Sequence, residues 1–193
     1  MFYVYLCMLE LNFDPFPILE TERLVLRRIT LDDAQSYFEL RSNVDAMKHI
    51  CKPLQTSIEE SKKMIYQINE MIAFNDGIGW AITLKENSKM IGSVSFHRID
   101  KAHYRAEIGY MLHPNYWRKG IVSEAVEAII KYGFNTLKFH SIEAHIDPTN
   151  VGSEKVLQKF SFVKEAYFKE NYFFAGQFLD TAVYSLISPI PFK

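Results

Sequence analysis

The chain has 193 residues, which suits one domain and leaves little length for a second of ordinary size. Its formal net charge is −1, with 22 Lys and Arg interleaved among 23 Asp and Glu, so no basic stripe offers itself to a phosphate backbone and no direct nucleic-acid binding is expected. Apolar residues make up 48% of the chain, enough for a sizeable core.

The apolar opening from Met1 to Leu9 is too short to span a bilayer, and it lacks the basic flank and small-residue cleavage site of a signal peptide. No membrane association is expected. Cys7 and Cys51 form no C-x-x-C pair, which argues against a disulfide framework or a zinc site and fits a cytoplasmic protein. Residues 1–15 are expected to be a poorly ordered extension, with Met8 an alternative start, followed by a single domain over 16–193.

After the Pro15 and Pro17 lead, Arg23 to Ile29 reads as a strand with Leu24 and Leu26 on one face. Thr30 followed by Asp33 resembles a capping box that opens a helix to about Arg41; Ser57 with Glu60 repeats the signal for a helix to about Phe74. Ile78, Trp80, Ile82 and Leu84 alternate as in a strand, residues 85–89 turn the chain, and Met90 to His97 returns. A third strand runs from Tyr104 to Leu112. It places Tyr104, Ala106, Ile108, Tyr110 and Leu112 on one face, with Arg105, Glu107, Gly109 and Met111 on the other. These three form an antiparallel meander. From Gly120 the apolar spacing becomes helical, through Ile121, Val122, Ala125, Val126, Ile129, Ile130 and Phe134. A short strand at Ser141–Ile146, a helix over about Asn150–Lys159, and strands near Phe162–Tyr167 and Phe178–Ile187 complete the chain. Strand, helix, strand in the second half predicts a parallel crossover added to the meander, hence a mixed sheet covered by helices.

The segment that carries chemistry is His113-Pro114-Asn115-Tyr116-Trp117-Arg118-Lys119-Gly120-Ile121-Val122-Ser123-Glu124-Ala125. A basic pair and a glycine sit where a strand gives way to an amphipathic helix. Unpaired N–H groups of a first helical turn, and the positive end of its dipole, favour an anion there. A turn glycine with a solvated basic pair is the bland alternative. Neither G-x-x-x-x-G-K-[ST] nor G-x-G-x-x-G is present, so the common nucleotide cradles have no support.

Four ordered segments together resemble the RimJ/RimL-like branch of the GNAT N-acetyltransferase superfamily. They are Leu19-Glu20-Thr21-Glu22-Arg23-Leu24-Val25-Leu26-Arg27, the run Ala106 to Pro114, Tyr116 to Ala125, and Asp147 to Leu157. The resemblance covers about Phe16 to Ile187. It implies an α/β GNAT fold: a mixed, mostly antiparallel sheet of about six to seven strands with helices on both faces. It also implies transfer of an acetyl group from acetyl-coenzyme A to a primary amine by direct attack in a ternary complex, without a metal. The acceptor would be a protein N-terminal α-amine or a small-molecule amine.

By the same resemblance, Trp117, Arg118, Lys119, Gly120, Ile121, Val122 and Ser123 would hold the pyrophosphate, and the main chain near Met111 and Leu112 the pantetheine arm. Asn150 would contact that arm, or act simply as a helix cap. Ser153 would sit near the sulfur and protonate the thiolate, or be an ordinary helix-surface serine. Glu107 would be the base, or a carboxylate paired with Arg105 or His145; His145 itself is a second, weaker base candidate. Tyr167, Glu170 and Tyr172 fall where the acceptor pocket closes. The sequence departs from the superfamily at Val122, a bulkier residue than the usual Gly or Ala, at Ser161, and at Leu157, where many members carry a thiol-side tyrosine. A non-catalytic acyl-coenzyme A sensor is the competing function. The aromatic residues between Phe160 and Phe178 are accounted for by core or by a subunit interface, and a homodimer is compatible with the family.

Overall fold

In the computed structural model of the chain, which describes residues 8–191, the alternating segments pair into one sheet. The elements are β1 (Leu19–Glu20), β2 (Leu24–Arg28), α1 (Ala34–Arg41), α2 (Val44–Met47), α3 (Ile58–Ala73), β3 (Ile78–Leu84), β4 (Asn87–Asp100), β5 (Arg105–Leu112), α4 (Ile121–Asn135), β6 (Ser141–Ile146), α5 (Val151–Lys159), β7 (Val163–Phe174) and β8 (Gln177–Ile187). The eight strands lie in the order β1-β2-β3-β4-β5-β6-β8-β7. The pair β5–β6 is parallel and the others are antiparallel, so the expected crossover through α4 is present.

The count exceeds the expected six to seven because of β1, two residues long and paired with β2 at Leu19↔Leu26 and Glu20↔Val25. A second addition is α2, closed at its start by the Asn43 side chain, which accepts the Ala46 N–H at 3.0 Å. The signal at Thr30 and Asp33 opens a 3-10 turn, Leu31–Asp33, ahead of α1. There the Asp33 carboxylate accepts the Thr30 N–H at 2.9 Å. Ser57 caps α3 as expected, accepting from the Glu60 N–H at 3.4 Å.

Strand alternation divides the core between two faces. Ile78, Trp80 and Ile82 of β3 pack with Ala125, Val126 and Ile129 of α4 in the larger cluster. Ala81, between them, joins Tyr37 and Leu40 of α1 and Ile65 of α3 in the smaller one. Trp80 centres the first: its ring meets Phe16, Phe96 and Tyr132 edge-on, and its indole N–H donates to the Pro17 carbonyl at 2.8 Å.

The expectation of poor order before residue 16 does not hold over its described part. Leu9 and Phe13 are buried in the larger cluster, the Leu9 N–H donates to the Lys101 carbonyl at 2.9 Å, and the Phe13 N–H donates to Asn75 Oδ1 at 2.9 Å. Two apolar side chains four residues apart cover the end of the core here, so the ordered unit reaches back to at least Leu9. Residues 1–7 lie outside the described residues.

Candidate active site

The central feature is a fork between β5 and β6. The two strands pair only at Arg105↔Ser141, Ala106↔Ile142 and Glu107↔Glu143, although β5 continues to Leu112 and β6 to Ile146. The His113 N–H donates to the Ile91 carbonyl at 2.9 Å, which fixes the alternation along β5. Residues 107, 109 and 111 therefore turn their backbone groups to β4, and residues 108, 110 and 112 turn theirs to the fork. Of the expected pair, Leu112 rather than Met111 has main-chain groups facing the opening. The Leu112 carbonyl is already occupied by the Trp117 indole N–H at 2.7 Å, which leaves its N–H and the backbone of Tyr110.

At the mouth of the fork stands the N-terminus of α4. Gly120 precedes it at φ 75°, a left-handed conformation in which a side chain is strained, and a Cβ there would lie 3.4 Å from Arg23 Nη2. The first intrahelical bond runs from the Glu124 N–H to the Gly120 carbonyl at 3.0 Å, so the N–H groups of Ile121, Val122 and Ser123 have no acceptor within the helix. The turn is locked from outside by Arg23, which binds Glu124 at 2.6 Å and donates to the Lys119 carbonyl at 2.9 Å. Lys119 folds back, its Nζ donating to the Asn115 carbonyl at 2.9 Å and lying over the Tyr116 ring. Arg118, at φ 59°, lines the cavity. Val122 packs partly against the larger core, which turns some of its bulk away from the cradle.

These parts line one cavity of about 880 Å³. At one end lie Trp117, Arg118 and Gly120 to Ser123; at the other lie His97, Glu107, His145 and Asp147, beneath α1 and α2. Asn150 and Ser153 line the wall between. The Asn150 side chain accepts the Ser153 N–H at 3.0 Å, so it is the cap of α5, and its amide NH2 group remains for another partner. Ser153 Oγ shares a 2.7 Å hydrogen bond with the Tyr110 hydroxyl, and burial drives the Tyr110 phenol up to about 12. Leu157 lies wholly in the core and supplies no hydroxyl to the cavity.

Glu107 is not paired with Arg105 or His145. Its oxygens meet His97 Nε2 at 3.2 Å and Arg98 Nη1 at 2.7 Å, while Arg105 and His145 share Glu143 at 3.1 and 3.4 Å. Burial acts to raise the Glu107 carboxyl, but the His97 hydrogen bond and the fields of His97, His145 and Arg98 outweigh it and hold the group below its ordinary value of 4.5. Gly109 makes room for this arrangement, since a Cβ on it would fall 2.9 Å from the His97 ring.

One further group at this end, His49, carried no motif. His49, just after α2, donates from Nδ1 to Asp147 at 2.7 Å, and Asp147 also accepts from the Thr149 N–H and hydroxyl at 2.8 and 2.7 Å. Burial opposes ionisation of Asp147, yet these bonds hold its carboxyl below the ordinary value. The contact ties the chain after α2 to the turn after β6. Tyr172 ties the same chain to β7, its hydroxyl donating to the Cys51 carbonyl at 3.2 Å, while Tyr167 and Glu170 engage Asp180. None of the three expected pocket-closing residues lines the cavity.

A sheet forked at a parallel pair, beside a helix that opens with free N–H groups, defines an acyl-transferase of the GNAT type. The comparisons agree: the family described as the acetyltransferase (GNAT) domain matches residues 23–163, and the chain belongs to that family. It is 36% identical over 174 residues to the uncharacterised N-acetyltransferase YoaA of Bacillus subtilis, covering 90% of this chain and 98% of that protein. It is 27% identical to the ribosomal protein uS5-alanine N-acetyltransferase of Escherichia coli, with 89% and 91% covered. The crystal structure of a GNAT-family acetyltransferase from Bacillus anthracis superposes with a TM-score of 0.78 at 28% identity, covering 89% of this chain and 98% of that one. The protein is thus an acyl-coenzyme A-dependent N-acetyltransferase with the expected RimJ/RimL-like relatives.

Proposed function

We propose that the protein moves an acetyl group from acetyl-coenzyme A to a primary amine by direct attack in a ternary complex. The observation that supports this best is the single cavity joining the α4 N-terminus, the open edge of β5 and a carboxylate-lined end. The pyrophosphate would rest on the N–H groups of Ile121 to Ser123 with Arg118 adding charge, and the pantetheine arm would pair with Leu112 and Tyr110.

On the acceptor side, Glu107 stays ionised at neutral pH and is a weak base. Its role in this reading is to hold the incoming amine and to help draw off, directly or through water, the proton an ammonium must lose before its nitrogen can attack; the second proton leaves the nitrogen as the C–N bond forms and the thiolate departs. On the donor side, a thiolate of ordinary basicity, near 8.5, does not deprotonate a phenol at about 12. Tyr110 and Ser153 therefore act by hydrogen bonding to the developing thiolate, and the proton arrives from the amine or water.

The test is calorimetric titration with acetyl-coenzyme A, followed by assay of free thiol with a panel of amines and N-terminal peptides. Binding with amine-dependent thiol release is the expected result. Binding without release on any amine supports the sensor instead, and no binding overturns the donor assignment.

A further inference from the structure

Arg41 ends α1 with its side chain lining the cavity beside Met111, four residues along β5 from Glu107. It is 9% exposed, its Nε has no hydrogen-bond partner, and its Nη1 meets only the Met111 sulfur, at 3.7 Å. Among the described residues no carboxylate lies within ion-pair distance of it. Arg27 shows the usual solution in this same fold, a two-pronged bond to Asp33 at 2.8 and 2.7 Å. A buried guanidinium left without a counter-charge is costly, and apart from the weak Met111 sulfur contact its donors meet no acceptor.

A second group lies beside it and offers a hydroxyl to the cavity. Tyr37, one turn earlier on α1, is 6% exposed and lines the same cavity, and no hydrogen bond within the described residues engages its hydroxyl. Burial raises its phenol while the Arg41 charge opposes that rise, which marks the two as neighbours. The floor beneath them is made of small side chains, Ser93, Ser95 and Gly109, that leave the space open.

We infer that the acceptor amine carries a carboxylate, and that Arg41 with Tyr37 grips it opposite the Glu107 end of the cavity. This rests on the acetyl-transfer reading above and names its substrate class. The guanidinium fork matches a carboxylate bidentately. Glu107 and Asp147, both held ionised farther along the cavity, supply carboxylate oxygens there for the ammonium of such a zwitterion. Free amino carboxylates and peptides with an acidic residue behind the N-terminus share this chemistry.

The experiment compares each carboxylate-bearing amine with its own amide: α-amino acids, ω-amino carboxylates, and peptides with Asp or Glu against Asn or Gln at their first two positions. Thiol release is followed with wild-type protein, Arg41→Gln and Tyr37→Phe. A preference of about 10–100-fold in kcat/KM for the carboxylate is expected, the scale of charge-assisted hydrogen bonds. It should collapse to within about threefold in Arg41→Gln, with acetyl-coenzyme A affinity unchanged, and fall several-fold in Tyr37→Phe, which removes one oxygen and keeps the ring. The arm with the largest preference identifies the source of the carboxylate.

Equal use of amides overturns the inference, as does a preference that survives both substitutions or a loss of acetyl-coenzyme A affinity in Arg41→Gln. The same pairs titrated calorimetrically against the protein without donor read the preference apart from turnover: selective binding of the carboxylates supports it and equal or absent binding overturns it. A failed donor titration would instead count against the acetyl-transfer reading.

Discussion

Glu107 of β5 joins β4 through His97 and Arg98, and its place in the chemistry can be separated from its place in the fold. Because its pKa is depressed, its contribution to stability is present above the ordinary value of 4.5 and is lost as pH falls below it. Glu107→Gln should therefore lower the melting temperature at pH 7, and the gap to wild type should close on acidification below pH 4.5, as differential scanning calorimetry over pH 3–7 would show. The same substitution is expected to reduce kcat by about 10–100-fold with little change in acetyl-coenzyme A affinity. Above about pH 6 any limb in the wild-type pH–rate profile should track the acceptor amine, since Glu107 has finished titrating. Tyr110→Phe removes the partner of Ser153 and should lower kcat by about tenfold while leaving the donor affinity intact. Sequence reading reached Glu107 and Ser153 through a resemblance. It missed Tyr110, assigned to the apolar face by alternation, because a tyrosine satisfies a hydrophobic pattern whether or not its hydroxyl finds a partner 43 residues away. Arg41 and His49 were missed for a related reason: Arg41 ends a helix whose signal lies at its start, His49 lies in the turn after α2, and only the tertiary fold brings them to the strands.

The loop and first turn of α4 act as a unit, with Gly120 at its bend and Arg23 clamping it from β2's approach. Gly120→Leu forces a left-handed backbone on a branched side chain, a strain of about 1–2 kcal/mol, and should weaken acetyl-coenzyme A binding by about tenfold or more. A fall in melting temperature without loss of affinity would show that the cradle lies elsewhere. Arg118 and Lys119 look alike in sequence yet differ in place, for Lys119 is spent on Asn115 and Tyr116. Arg118→Ala should accordingly reduce the salt dependence of donor binding more than Lys119→Ala, measured by titration across salt concentrations. Element boundaries were legible wherever a period was long enough to register, as in α3, α4 and the meander. They failed at β1 and α2, of two and four residues, where no alternation or helical stripe can establish itself and pairing or capping decides.

At the scale of the whole molecule, the two-sided core explains why the segment before residue 16 cannot be treated as a tail. Leu9 and Phe13 cover apolar surface that α4 and the sheet leave open. Starting the chain at Phe16 should cost about 3–6 kcal/mol from those two side chains alone, visible as a lower denaturation midpoint. The apolar opening before Glu10 carries no period and no cap, and the burial of Leu9 within it depends on a surface completed much later in the chain.

The fork between β5 and β6 has a consequence for how the two parts of the sheet hold together. Among the described residues, three residue pairs, with the Tyr104 carbonyl beside them accepting from the His140 N–H at 2.6 Å, form the ladder between the β1–β5 ribbon and the β6–β8 ribbon. Any ligand that bridges the gap with its own amides supplies rungs that the polypeptide omits. Occupancy of the slot then becomes a mechanical property: the empty protein should breathe along this seam, and the filled one should slow amide exchange on both banks together.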